Sequence, residues 1–258
     1  MRQIVNYLVI LENQIRLKKQ INEPLKKLDK SDKDYNKKTL EICHVIKFLS
    51  LLNSGYQISE VREQPDFIIK TLDNHIAGLE HEILVDSNHK KIEGTFADIV
   101  KSAEGIFRER HPKTKLLANI YVNTHKKISK KDKPIHVKTL LSIIEDSVFH
   151  NQFSENDLVH NISWHKHSGL NFSCNPGGWC QQSLQHDTVK EYIHKKEIKR
   201  LDYIKNTGIE EQWLLIVIGS LNQSSYEIDS RFDKNFSADS GFNRIFLMED
   251  FNARLFEL

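Results

Sequence analysis

The sequence predicts a mixed α/β fold, with a central sheet flanked by helices. Strand-like apolar runs alternate with segments of helical period along the chain, and no internal repeat interrupts the alternation. Composition agrees with a globular protein: 39% of the 258 residues are hydrophobic and 28% charged, a balance that excludes an intrinsically disordered chain.

In residues 1 to 20, Ile4, Val5, Leu8, Val9, Ile15 and Leu17 fall at helical spacing. Asn6 breaks the early apolar stretch and no small-residue cleavage site follows Glu12, so this segment reads as an amphipathic helix rather than a signal peptide. The next stretch, KKQINEPLKKLDKSDKDYNKK, has little to bury and is expected as a linker or a solvated helical arm. TLEICHVIKFLSLLNSG predicts a second amphipathic helix, stopped by Asn53, Ser54 and Gly55. YQISEVREQ, DFIIKTL and HIAGLEHEILV predict three successive strands, the last two forming a hairpin.

GTFADIVKSAEGIFRERHP places Phe96, Ile99, Val100, Ala103, Ile106 and Phe107 on one helical face, and Pro112 ends it. KLLANIYVN is then a strand, HKKISKKDKP a basic loop and VKTLLSIIEDSVFHNQF a helix. Residues 157 to 180, rich in His and aromatics and carrying the Gly177-Gly178 pair, are expected as a hairpin or loop. TVKEYIHKKEIKRLDYIKN predicts a helix, WLLIVIGS a strand, and FNRIFLMEDF a final strand at a sheet edge.

A formal net charge of +2 is too weak to name a nucleic-acid partner. Three cysteines, Cys43, Cys174 and Cys180, are too few and too odd for a disulfide framework, so a reducing cytosol is the expected location. No run approaches the roughly 18 apolar residues that a membrane span needs.

The acidic residues of the hairpin call for an explanation. Side chains alternate across a strand, so Glu80 and Glu82 share one face and His81 takes the other. An even loop, Asp73-Asn74, would bring Asp66 opposite His81; an odd loop, Leu72-Asp73-Asn74, would bring it opposite Glu80. Three-residue hairpin loops commonly end in a residue with positive φ, and Asn74 tolerates that conformation, so the odd loop is predicted. Facing carboxylates repel each other unless a cation or a proton separates them. Mg²⁺, which takes one or two carboxylates plus waters and a phosphate, would answer; strand-entry punctuation with solvent-facing glutamates would answer as well.

The helix over residues 188 to 206 adds a second oddity. At 100° per residue, Val189, Tyr192, Ile193, Tyr203 and Ile204 form one apolar face, with Lys196 near its centre and Lys199 at its edge. A lysine aimed at a core is costly unless an acid waits there or its ammonium snorkels to water.

The order PD, then E-x-E on the next strand, then I-x-x-K-x-x-K-x-x-x-Y (Ile193, Lys196, Lys199, Tyr203) before an apolar strand resembles the PD-(D/E)xK nuclease superfamily. The resemblance spans about residues 37 to 219. It implies a restriction-endonuclease-like core with a middle insertion, so that a nuclease-like α/β domain over 37–258 follows the N-terminal helix and charged linker read over 1–36. It implies Mg²⁺ or Mn²⁺ held by Asp66 and Glu80, with Glu82, and phosphodiester hydrolysis assisted by a lysine. The usual lysine, two positions after the Glu, is Glu82 here, so that role passes to Lys196, with Lys199 second. Glu41 matches the acid that the preceding helix often contributes. The substrate implied is DNA before RNA, in a setting such as prokaryotic defence or a mobile element. A nuclease-like module that has lost hydrolysis and serves in nucleic-acid binding or assembly is the alternative.

Elsewhere, His160, His165, His167, Cys174 and Cys180 are zinc-ligating types, but H-x-H followed by C-x₅-C is outside the standard patterns, and a pleated hairpin is the plainer reading. Trp164, Phe172 and Trp179 could stack on bases or pack in a core. Lys126, Lys127, Lys130 and Lys131 form the densest basic loop and suit a phosphate backbone. Cys43, on an apolar helix, reads as a small core residue. The N-terminal helix and linker suit homodimerisation or docking on a partner protein.

Overall fold

Ile42, Val45, Phe48 and Leu49 recur at helical spacing and make α1 (Tyr35–Leu52) amphipathic, and their side chains are buried. Asn53, at φ 50° in the left-handed region, ends the helix with its N–H on the Leu49 carbonyl. The computed structural model describes residues 18–219, 221–229, 232 and 236–258, so most of the helix expected over 1–20 lies outside the described residues. The charged stretch does more than link: residues 18–25 are helical, and Ile21, Leu25 and Leu28 pack against the apolar cluster that α1 covers. Because α1 starts at Tyr35, Lys37 and Lys38 belong to that helix.

The chain's contacts fall into two compact units, a division that its composition does not mark. The first comprises residues 1–84, 182–221 and 225–258; the second, 85–181 and 222–224, enters the sequence between its parts. In the first unit, among the described residues, β1 (Gln57–Val61), β2 (Phe67–Lys70), β3 (Ile76–Ile83), β8 (Gln212–Ile218), β10 (Arg244–Glu249) and β11 (Arg254–Glu257) form a six-stranded mixed sheet in that order. β1, β2 and β3 run as an antiparallel meander, β3, β8 and β10 are parallel, and β11 returns antiparallel.

Both faces of this sheet are covered. Leu79, Trp213, Leu215, Val217 and Phe246 pack under α1, while Leu84, Leu214, Ile216 and Leu247, of the other parity, pack under α4 (His186–Thr207). β8 is therefore buried at every position, which is why WLLIVIGS is continuously apolar. A two-stranded pair, β7 (Gln182–Ser183) with β9 (Tyr226–Glu227), also belongs to this unit.

The second unit packs α2 (Ser87–Arg110) and α3 (Lys133–His150) against a sheet of β4 (Leu116–Val122), β5 (Val159–Lys166) and β6 (Asn171–Asn175). Asp86 caps α2, its carboxylate accepting the His89 N–H at 2.7 Å. β5 and β6 are not the expected hairpin, because β4 lies between them, antiparallel to β5 and parallel to β6. The FNRIFLMEDF strand is likewise not an edge: β10 is buried from Ile245 to Glu249, and the short β11 takes the edge outside it. No helix of the described residues is long and apolar enough to cross a membrane.

One close approach fixes the join of β3 to β8. Gly78 pairs with Gln212, whose side chain is fully buried and donates to the Ile209 carbonyl at 2.7 Å. A β-carbon at 78 would overlap the Gln212 amide. Gly78→Ala is expected to cost about 1–3 kcal/mol in chemical denaturation, and less in a Gln212→Ala background, where the obstruction is gone.

Candidate functional site

The site begins with the hairpin. Phe67 pairs with Leu79 and Lys70 with Ile76, Thr71 donates to the His75 carbonyl at 3.0 Å, and Asn74 sits at φ 66°. The loop is thus the odd, three-residue one, and one step beyond the Phe67–Leu79 pair Asp66 stands opposite Glu80, as the loop chemistry predicts. Asp66 is anchored there: its Oδ2 accepts the backbone N–H of His81 at 3.0 Å.

Glu80 is 5% exposed and points to the α4 side of the sheet. Lys196 of α4 reaches it, placing Nζ 2.8 Å from Glu80 Oε1 and 2.6 Å from Glu82 Oε2. The lysine on the apolar face therefore meets the two glutamates of E-x-E rather than water. Glu80 Oε2 has no hydrogen-bond partner. The Tyr203 hydroxyl is buried near Glu80, and desolvation followed by the Glu80 charge holds it well above the usual tyrosine range.

A second lysine enters from α1. Lys38, buried, donates to the Arg62 carbonyl at 2.9 Å and lies 3.3 Å from Glu41, 3.3 Å from Glu63 and 3.7 Å from Asp66. Burial alone would lower both ammonium groups. The surrounding carboxylates outweigh it, so Lys38 and Lys196 are both held above the ordinary lysine value.

Asp66 carries the opposite strain. Desolvation first, then the Glu80 charge, push its carboxyl up to about 7; the His81 N–H and Lys38 oppose that rise, and Glu41 adds to it. Glu41, matched from sequence to the helix-borne acid, is buried and close enough to act on Asp66. Lys199 is exposed on α4, away from the carboxylates' described contacts.

Behind β3, His81 is buried on the α1 side, as strand alternation requires, with Nε2 3.0 Å from His44 Nδ1 and the rings stacked at 5.2 Å. Desolvation is the main cause that lowers both imidazoles, so the pair is neutral near pH 7. Sequence reasoning missed His44 and Lys38. Lys38 precedes Ile42, Val45 and Leu49 at helical spacing, a signal lost when the helix is started at Thr39.

The other candidates lie in the second unit. Lys126 pairs with Asp157 at 2.5 Å, and Lys127, Lys130 and Lys131 are exposed. His165 and His167 are exposed on and just after β5, and Cys180 is exposed; burial, then Glu93, push the Cys174 thiol up to about 11, which suits packing better than ligation. Trp164 donates to the Ser147 carbonyl and Phe172 is buried, which leaves Trp179, at the rim of a cavity of about 470 Å³, as the exposed one of these three aromatics.

Comparison of the chain with protein-family models, with curated proteins and with solved structures finds no match. Among the described residues no group of three or more His, Cys, Asp or Glu side chains is arranged to hold a metal ion. Asp66 and Glu80 are two opposed carboxylates, one with an unpartnered buried oxygen and the other desolvated toward protonation. A hard divalent cation held at such a pair would have to complete its shell with water and substrate oxygen.

The raised Asp66 carboxyl makes stability pH-dependent. Its ordinary value is 3.8 and its folded value about 7, so its contribution is complete below the former and lost as pH rises through the latter. In metal-free buffer, wild type should lose on the order of 1–2 kcal/mol more than Asp66→Asn between about pH 5 and pH 7, by urea denaturation.

Proposed function

We propose that this chain is a metal-dependent nuclease that hydrolyses phosphodiester bonds, with DNA the first substrate to test and RNA the second. The observation that supports it is the meeting of Asp66, Glu80 and Lys196 from two adjacent strands and a helix. These residues would form the restriction-endonuclease-like core from α1, β1 to β3, α4 and β8.

Asp66 and Glu80 would hold the divalent cation, which supplies a lowered pKa to bound water and neutralises charge on the scissile phosphate. Lys196 brings a fixed positive charge, raised well above the range in which it would lose its proton, to the place where negative charge builds. Glu82 aims that ammonium from its far side at 2.6 Å. His81 holds Asp66 through its backbone N–H, and His44 buttresses the His81 ring. Glu41 adds negative charge beside Asp66, which favours a cation there.

One observation favours a second reading. Lys196 and Lys38 already neutralise the carboxylates in part, as a binding module without hydrolysis would require.

Cleavage of plasmid, linear and single-stranded DNA and of RNA separates the two. Wild type should cut only with Mg²⁺ or Mn²⁺, and Asp66→Ala, Glu80→Gln and Lys196→Met should each lose on the order of a hundredfold or more in rate while keeping their fold by circular dichroism. Binding without cutting, unchanged by EDTA, would select the inactive module.

A further inference from the structure

Two features of the carboxylate pair work against a cation entering on its own. Lys196 Nζ lies 2.8 Å from Glu80 and 2.6 Å from Glu82, and its side chain is only 15% exposed, so Glu80 is already engaged by a positive charge inside the fold. A divalent cation seated between Asp66 and Glu80 would be close to that ammonium, and the two would repel. On the opposite flank, Lys38 lies 3.7 Å from Asp66 and repels the same cation.

A phosphodiester changes this balance. It is the anion that the nuclease reading brings to the site, and a lysine side chain is long enough to swing its ammonium from a carboxylate to a phosphate oxygen. Once Lys196 engages phosphate, Glu80 is released for the cation, and the phosphate charge favours both. Tyr203 and Ile193, buried on the same helix, keep the root of the lysine in place while its tip moves.

We propose that Lys196 is a tethered cation that blocks the Asp66–Glu80 pair in the free protein and is drawn off by a phosphodiester, so that metal and nucleic acid bind cooperatively. This rests on the nuclease reading above. The site is then closed to metal until substrate arrives, and Lys196 competes with metal before it assists the reaction. Coupling of this kind is reciprocal: whatever factor nucleic acid adds to metal affinity, metal adds to nucleic-acid affinity.

The test is Mn²⁺ binding to the full chain, read from the electron paramagnetic resonance signal of free Mn²⁺, with and without a short phosphorothioate DNA duplex. Wild type should bind Mn²⁺ weakly alone and about tenfold or more tightly with duplex. Lys196→Met should bind Mn²⁺ about tenfold or more tightly than wild type without duplex, and lose most of the gain that duplex brings. Lys205→Met, exposed in the last turn of α4, should match wild type. Lys196→Gln repeats the measurement if the Met variant melts early. Unchanged or weaker Mn²⁺ binding in a folded Lys196 variant overturns the tethered-cation proposal; if wild type still cuts nucleic acid, the nuclease reading survives it. No Mn²⁺ binding in any variant, with or without duplex, overturns both.

Discussion

The opposition of Asp66 and Glu80 across β2 and β3 organises the first unit around an electrostatic problem. Two carboxylates face each other in a largely desolvated place, and each is met by a lysine from a different helix: Lys38 from α1 and Lys196 from α4. The antiparallel register puts the acids together, the parallel join to β8 buries the strand that carries Glu80, and the two helices cover opposite faces. Any shift of the hairpin by one residue would turn Glu80 toward His44 and break the set.

Such a cluster is poor value as a stabilising device. Buried ion pairs recover little more than the cost of desolvating their charges, and apolar side chains of similar volume would often do better. Here the pairing is also incomplete, with Glu80 Oε2 lacking a hydrogen bond and Asp66 pushed toward protonation. Strongly perturbed groups set in fixed geometry between rigid elements are a pattern of functional sites. The same arrangement explains why β3 breaks the apolar rule of a central strand: its α4 face reads Glu80, Glu82 and Leu84, while its α1 face reads Ala77, Leu79 and His81.

Much of this was legible in the amino-acid order because local chemistry decided it. Asn74 accepts a positive φ, which sets the loop parity, which sets what Asp66 faces. Helical spacing put Lys196 on the buried face, and E-x-E supplied its partners. What was not legible depends on contacts remote in sequence. Lys38 lies in a run of charges that looks solvated until α1 is seen to begin at Tyr35. β4 slips between β5 and β6, which no local signal marks, and β10 is interior only because the four-residue β11 closes the sheet outside it. Of the chain's division into two units, the crossing near residue 84 carries no proline- or glycine-rich linker, and the Pro176-Gly177-Gly178 run before the return at 182 reads equally well as a turn.

Asp66 and Glu80 oppose each other closely enough that the Glu80 charge and desolvation hold the Asp66 carboxyl toward protonation. An isotope-edited carbon NMR titration of the Asp66 carboxyl, assigned by its loss in Asp66→Asn, tests this directly. The Asp66 carboxyl should show an apparent pKa near 7 in metal-free buffer and fall into the ordinary carboxylate range when Mg²⁺ and a phosphorothioate DNA duplex are added together. An ordinary value without metal would contradict this opposition of the two carboxylates.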